Sequence, residues 1–130
     1  MTSSVGIVLV SHSADLALGL RGVAQQIGSD TVPVVAAGGT DDGRIGTSYD
    51  LVLEAVRQAD QGAGVLVLPD LGSSVLTTRT VLDDHPRDDV RIVDAPFVEG
   101  TVAAVVTAAG GADLDTVAHA AEEARHVRKL

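Results

Sequence analysis

Short apolar runs of strand length alternate along this chain with stretches whose apolar residues recur at helical spacing. That alternation restricts the fold more than any other feature of the sequence. Val5 to Val10 (VGIVLV) is almost continuously apolar, the pattern of a strand covered on both faces. After Ser11-His12-Ser13, the residues Leu16, Leu20, Val23 and Ile27 recur at helical spacing and predict a helix from about Ala14 to Ile27. Val32 to Ala37 reads as a second strand, closed by Gly38-Gly39, and a polar loop runs to Gly46. Thr47, three residues before Asp50, is a weak form of capping box ahead of a second helix carrying Leu51, Val52, Ala55, Val56 and Ala59. Gly64 to Leu68 is a third strand, with Pro69-Asp70 at its carboxyl end. Leu71-Gly72-Ser73-Ser74 then opens a third helix with apolar positions Val75, Leu76 and Leu82. Val90 to Val93 is a short fourth strand and Asp94 to Gly100 a loop. Helices follow at about Thr101 to Ala109 and Leu114 to Val127, and the basic tail from His126 to Leu130 complements a helix C-terminus.

Strands that alternate with helices in this way predict an α/β fold: a doubly wound, mainly parallel sheet with helices on both faces. The expected strand order is 2-1-3-4, with a possible edge strand. Residues 1–130 contain no linker composition and no internal repeat, so they are expected to form a single domain.

In an open parallel sheet, ligands bind beyond the carboxyl ends of the strands, at the point where the strand order reverses. Strand one ends in Ser11-His12-Ser13, strand two in Gly38-Gly39, strand three in Asp70 followed by Gly72-Ser73-Ser74, and strand four in Asp94. If strands one and three are neighbours, His12 and Asp70 face each other across one crevice. A carboxylate beside an imidazole fixes its tautomer and stabilises its charged form, leaving the other ring nitrogen as a nucleophile. Either Nδ1 or Nε2 could be that nitrogen. Gly72, Ser73 and Ser74 would open a helix, where amide N–H groups and the dipole attract an anion. Ser13 does the same at the start of the first helix. The expected site is therefore His12 as nucleophile and Asp70 as its orienting partner, with Ser13, Gly72, Ser73 and Ser74 around a phosphoryl group. The remaining histidines, His85, His119 and His126, read as surface residues with no metal motif around them.

Composition narrows the alternatives. The chain has no cysteine, which removes thiolate catalysis and disulfides and suits a reducing cytoplasm. The net charge of −9, with aromatics at only 2%, argues against a nucleic-acid partner. No apolar run reaches the length of a membrane span, and the first residues do not form a signal peptide.

Several segments together resemble the phosphocarrier (DhaM) subunits of phosphotransferase-dependent dihydroxyacetone kinases. These are Val8 to Ser13, Ala36-Ala37-Gly38, Ile45-Gly46-Thr47, Asp70 to Ser74 and Ala95 to Gly100. Their IIA domain is similar to the mannose-type IIA domains of the bacterial sugar phosphotransferase system. The resemblance implies a homodimer and a phosphohistidine at His12, supported by Asp70. It implies that Gly72, Ser73 and Ser74 form the turn around the phosphoryl group; Ser13, Gly38 and Gly39, at the neighbouring strand ends, are expected to bind it as well. The implied donor is the phosphohistidine carrier HPr. The implied acceptor is ADP held on the partner subunit DhaL, with dihydroxyacetone phosphorylated on DhaK. No cofactor is expected on this chain itself. A IIA component for sugar uptake is the alternative within the same family. A receiver-like signalling domain would also place an Asp at the end of strand three. It needs an acidic pair after strand one and a lysine near the last strand, whereas Ser11-His12 stands there and the only lysine is Lys129.

Overall fold

A computed structural model describes residues 3–28 and 30–130 of the chain. Its sheet has four parallel strands, β1 (Gly6–Ser11), β2 (Val34–Gly38), β3 (Val65–Pro69) and β4 (Val90–Ile92), in the order β2-β1-β3-β4. The helices are α1 (Ala14–Gly28), α2 (Tyr49–Ala59), α3 (Gly72–Asp84), α4 (Phe97–Ala109) and α5 (Leu114–Glu123), the last continued by a 3-10 turn, Ala124–His126. The order and direction of the strands are those expected from the sequence. Among the described residues the sheet has no fifth, edge strand.

The two faces of the sheet explain why β1 and β3 read as continuous apolar runs. Alternate residues point to opposite sides of a strand. Val5, Ile7 and Leu9 join Leu66 and Leu68 in a cluster with Leu20 and Ala24 of α1, Ala104 and Val105 of α4 and Val117 of α5. Val8 and Val10 join Val65 and Val67 in a second cluster with Val52 and Val56 of α2 and Val81 of α3. Both central strands are therefore buried on both faces, each fully enclosed Val or Leu contributing about 1.5–3 kcal/mol.

The helices depart from expectation in three places. The face of α1 that packs is Ala17, Leu20, Ala24 and Gly28, while Leu16, Val23 and Ile27 are about half exposed. Small residues let the helix lie close: a Cβ on Gly28 would stand 1.9 Å from Val105 Cγ1. In α3 the buried residues are Ser74, Thr78 and Val81, and Leu76 is exposed. α4 begins at Phe97 rather than Thr101, because Pro96 holds the backbone extended just before it and Thr101 Oγ1 bonds the Phe97 carbonyl at 2.6 Å. The basic tail also differs: Lys129 pairs with Glu99 of α4 at 2.8 Å rather than serving the end of α5, while Arg125 bonds the Glu122 carbonyl there.

Candidate active site

The register of the sheet determines which side chains meet. Val10 is opposite Pro69 and Ser11 opposite Gly38, and the ladder continues one step further through Asp70 N–H donating to the Val10 carbonyl at 3.0 Å. β1 and β3 are adjacent but lead to opposite edges of the sheet, one toward β2 and the other toward β4. The crevice that opens between their carboxyl ends is the reversal point of the strand order. His12 and Asp70 lie in it together.

Asp70 sits at the centre of a donor set. Its Oδ1 accepts from His12 Nδ1 at 3.0 Å, from the Ser74 hydroxyl at 2.7 Å and from the Leu71 amide at 2.6 Å. Its Oδ2 accepts from the Ser11 hydroxyl at 2.8 Å and from the His12 amide at 3.2 Å. Burial of this carboxyl pushes its pKa up, but the bonds from Ser74, Ser11, His12 and the Leu71 amide outweigh that and hold it at about 2, below the ordinary 3.8. Asp70 is thus a carboxylate at every physiological pH. A carboxylate only accepts, so Nδ1 of His12 donates to it, and in the neutral ring the lone pair is then on Nε2.

Nε2 faces the start of α3, where Ser73 Oγ bonds it. Leu71, at the helix N-cap, offers no side-chain cap, and the amides of Gly72 and Ser73 have no partner among the described residues. The positive end of α3, with these open N–H groups, therefore lies next to the Ser73 hydroxyl that bonds Nε2. Gly72 itself borders open space, since a Cβ there would meet nothing within 4 Å. The arrangement sets one imidazole nitrogen against a helix terminus of the kind that attracts anions.

The structure brings together His12, Asp70, Gly72, Ser73 and Ser74 of the expected site. Ser13 stands beside it: its amide bonds Ser11 Oγ at 3.1 Å and its hydroxyl caps α1 through the Leu16 amide at 3.2 Å. Gly38 and Gly39 are different. A Cβ on Gly38 would lie 2.5 Å from the Ser13 carbonyl oxygen and 2.7 Å from Ala14 Cα, and the Gly39 amide already donates to the Ser11 carbonyl at 3.1 Å. Their contacts set the approach of β2 to the start of α1, and the Gly39 amide is already engaged there. Gly38→Ala is accordingly expected to destabilise the protein by several kcal/mol, since both clashing groups are backbone and cannot turn away. A melting temperature within about 2 °C of wild type, measured by circular dichroism, would contradict that packing role.

Two participants escape a reading of the sequence by motif. Ser11, fully buried, bonds Asp70, and only the strand register aims it there. Thr47 is not a helix cap: Ser48 takes that role, its Oγ accepting from the Leu51 amide at 3.2 Å. Thr47 Oγ1 lies instead 3.1 Å from Ser73 Oγ. Asp94 lines one cavity with Asp70, Val75 and Arg79, but its side chain is exposed and lies beside Arg125, with no bond to the His12 group. His85 caps the end of α3 beside Tyr49, and the side chains of His119 and His126 are largely exposed near Glu123.

Comparison with known proteins gives one consistent picture. The family model described as PTS system fructose IIA component matches residues 6–118. A phosphoryl donor subunit DhaM of a PEP-dependent dihydroxyacetone kinase from Pantoea ananatis is 43% identical over 119 residues, 87% of this chain and 25% of its own length. The corresponding subunit of kinase 1 from Listeria innocua is 38% identical over 103 residues, 79% of this chain and 81% of its own length. The chain thus spans about a quarter of the length of the first curated relatives it matches, and most of the shorter ones. Among solved structures, EF1359, described as a protein of unknown function, superposes with a TM-score of 0.80 at 32% identity and covers 95% of each chain.

Proposed function

Because the chain belongs to the family of PTS system fructose IIA components, and within it stands with the phosphoryl donor subunits named DhaM, we propose that it is the phosphocarrier of a dihydroxyacetone kinase and works through a phosphohistidine at His12. The observation that carries this reading is the position of the imidazole. Its Nδ1 is committed to Asp70 and its Nε2 points at the open N-terminus of α3.

The chemistry follows from that position. The Nε2 lone pair attacks the phosphorus of the donor's phosphohistidine, a new P–N bond forms, and the donor's own P–N bond breaks in line. The donor's imidazole leaves with its electron pair. Nδ1 of His12 keeps its proton throughout, and Asp70 offsets the positive charge that the substituted ring acquires. In the second transfer a terminal phosphate oxygen of ADP attacks the same phosphorus and the P–Nε2 bond breaks, which restores the neutral ring. The amides of Gly72 and Ser73 and the hydroxyls around them support the equatorial oxygens in both steps. HPr as donor, ADP on a DhaL subunit as acceptor, DhaK as the site of dihydroxyacetone phosphorylation, a homodimeric state and a cytoplasmic setting belong to this proposal. No helix among the described residues is long and apolar enough to cross a membrane.

The acceptor is tested by mixing the labelled, phosphorylated chain either with DhaL and ADP or with the next component of a sugar permease. Label is expected to move to ADP and appear as ATP. Label that leaves only for the permease component would move the protein to the sugar-uptake branch.

A further inference from the structure

We propose that Thr47 supplies a hydroxyl to the transferred phosphoryl group, acting with Ser73 as a pair that covers Nε2 of His12 at rest and grips the phosphoryl oxygens after transfer. The inference rests on the reading of His12 as phosphoryl acceptor and adds a residue to it.

Thr47 is placed for this by backbone rather than by its own side chain. The Gly46 amide donates to the His12 carbonyl at 2.9 Å, which fastens the loop before α2 to the nucleophile's own backbone. Thr47 also bridges Gly39, just beyond the end of β2. Since Ser48 caps α2, the Thr47 hydroxyl has no helix to serve. It lies 3.1 Å from Ser73 Oγ and 3.5 Å from Ser74 Oγ, so three hydroxyls from two separate segments converge beside the imidazole.

The direction of the hydrogen bonds gives the pair its function. With the proton on Nδ1, the Ser73 hydroxyl must donate to Nε2. The Ser73 oxygen then accepts from Thr47. When a P–N bond forms at Nε2, the lone pair that Ser73 addressed is consumed. Ser73 turns off the ring, and both hydroxyls, whose oxygens lie 3.1 Å apart at rest, become free to donate where the new oxygens arrive. Two hydroxyls and the two open amides of α3 then face a group with three peripheral oxygens. A hydroxyl aimed where charge develops is worth far more in a transfer step than in a resting fold.

The test uses Thr47→Val, which keeps the β-branched shape and removes the hydroxyl, alongside Thr47→Ser, which keeps the hydroxyl. Phosphoryl uptake from phosphorylated HPr is followed over a range of donor concentrations. Thr47→Val is expected to lower kcat by about 10- to 100-fold with KM within about 2-fold of wild type, and Thr47→Ser to restore kcat to within about 3-fold. A Thr47→Val protein that transfers at the wild-type rate overturns the proposal. Equal losses in both variants with a lowered melting temperature also overturn it, since Thr47 would then serve only the loop. Failure of the wild-type chain to take up any label is a different result, and it removes the underlying reading of His12.

Discussion

His12→Gln is expected to abolish phosphoryl uptake from phosphorylated HPr while leaving a folded protein. Glutamine has an amide that can reach the Asp70 carboxylate, so it replaces a donor, but it has no nucleophilic nitrogen. The other four donors to Asp70, from Ser11, Ser74, Leu71 and the amide of residue 12, are untouched by the change. The ring itself is only partly enclosed, so little core packing is lost. Thermal unfolding within about 5 °C of wild type is therefore expected beside a complete loss of label. A folded variant that still takes up label would show that another residue is the acceptor. Asp70 is the residue to inspect first, because the rival receiver reading places the phosphoryl group there.

Asp70→Asn has the second largest expected effect, and it acts on both rate and stability. Removing the charge leaves the ring without its counter-ion when Nε2 is substituted, and an amide NH2 in place of one oxygen meets donors instead of acceptors. Loss of an orienting carboxylate beside a catalytic imidazole costs up to about 10⁴-fold in a well-studied triad. Here a slowing of about 10²- to 10⁴-fold in phosphoryl uptake is expected, with the donor's KM little changed. An unchanged rate would remove Asp70 from the mechanism. The stability effect has a definite sign. The folded pKa of Asp70 is about 2 and its ordinary value 3.8, so its ionised form stabilises the folded state above the higher value, and that contribution is lost as pH falls toward the lower. The shift corresponds to roughly 2 kcal/mol, present in full above about pH 5 and fading by about pH 2. The stability gap between wild type and Asp70→Asn is thus expected to narrow as pH falls through this window. A gap independent of pH in denaturant titrations would contradict the bonding described for the carboxylate.

Much of this architecture is legible in the sequence because parallel strands buried on both faces leave a dense apolar signature. VGIVLV and GVLVL cannot sit at a solvated edge, and the loops after them must reach the crevice. The pairing of His12 with Asp70 follows from that placement alone. What the sequence conceals is packing through small residues. Leu16, Val23 and Ile27 draw attention by their size, yet Ala17, Ala24 and Gly28 complete the contact around Leu20, and at Gly28 the approach to Val105 leaves no room for a side chain. A similarly close approach makes Gly38 a point of backbone contact with the start of α1. Ser11 and Thr47 are hidden for another reason. Hydroxyl residues are common at strand ends and loops, and only three-dimensional register makes these two converge on the site. Pro96 is ambiguous in sequence, since it ends an extended segment and starts a helix equally well.

In the proposed cycle one nitrogen of one histidine carries the phosphoryl group. The most direct test is to phosphorylate the wild-type chain from phosphoenolpyruvate through enzyme I and HPr, then locate the modification by phosphorus NMR and peptide mapping. A single acid-labile phosphoramidate on Nε2 of His12, formed without magnesium on this chain, is expected. An acid-stable, magnesium-dependent phosphoryl group on Asp70, or a phosphohistidine at any other position, would contradict it.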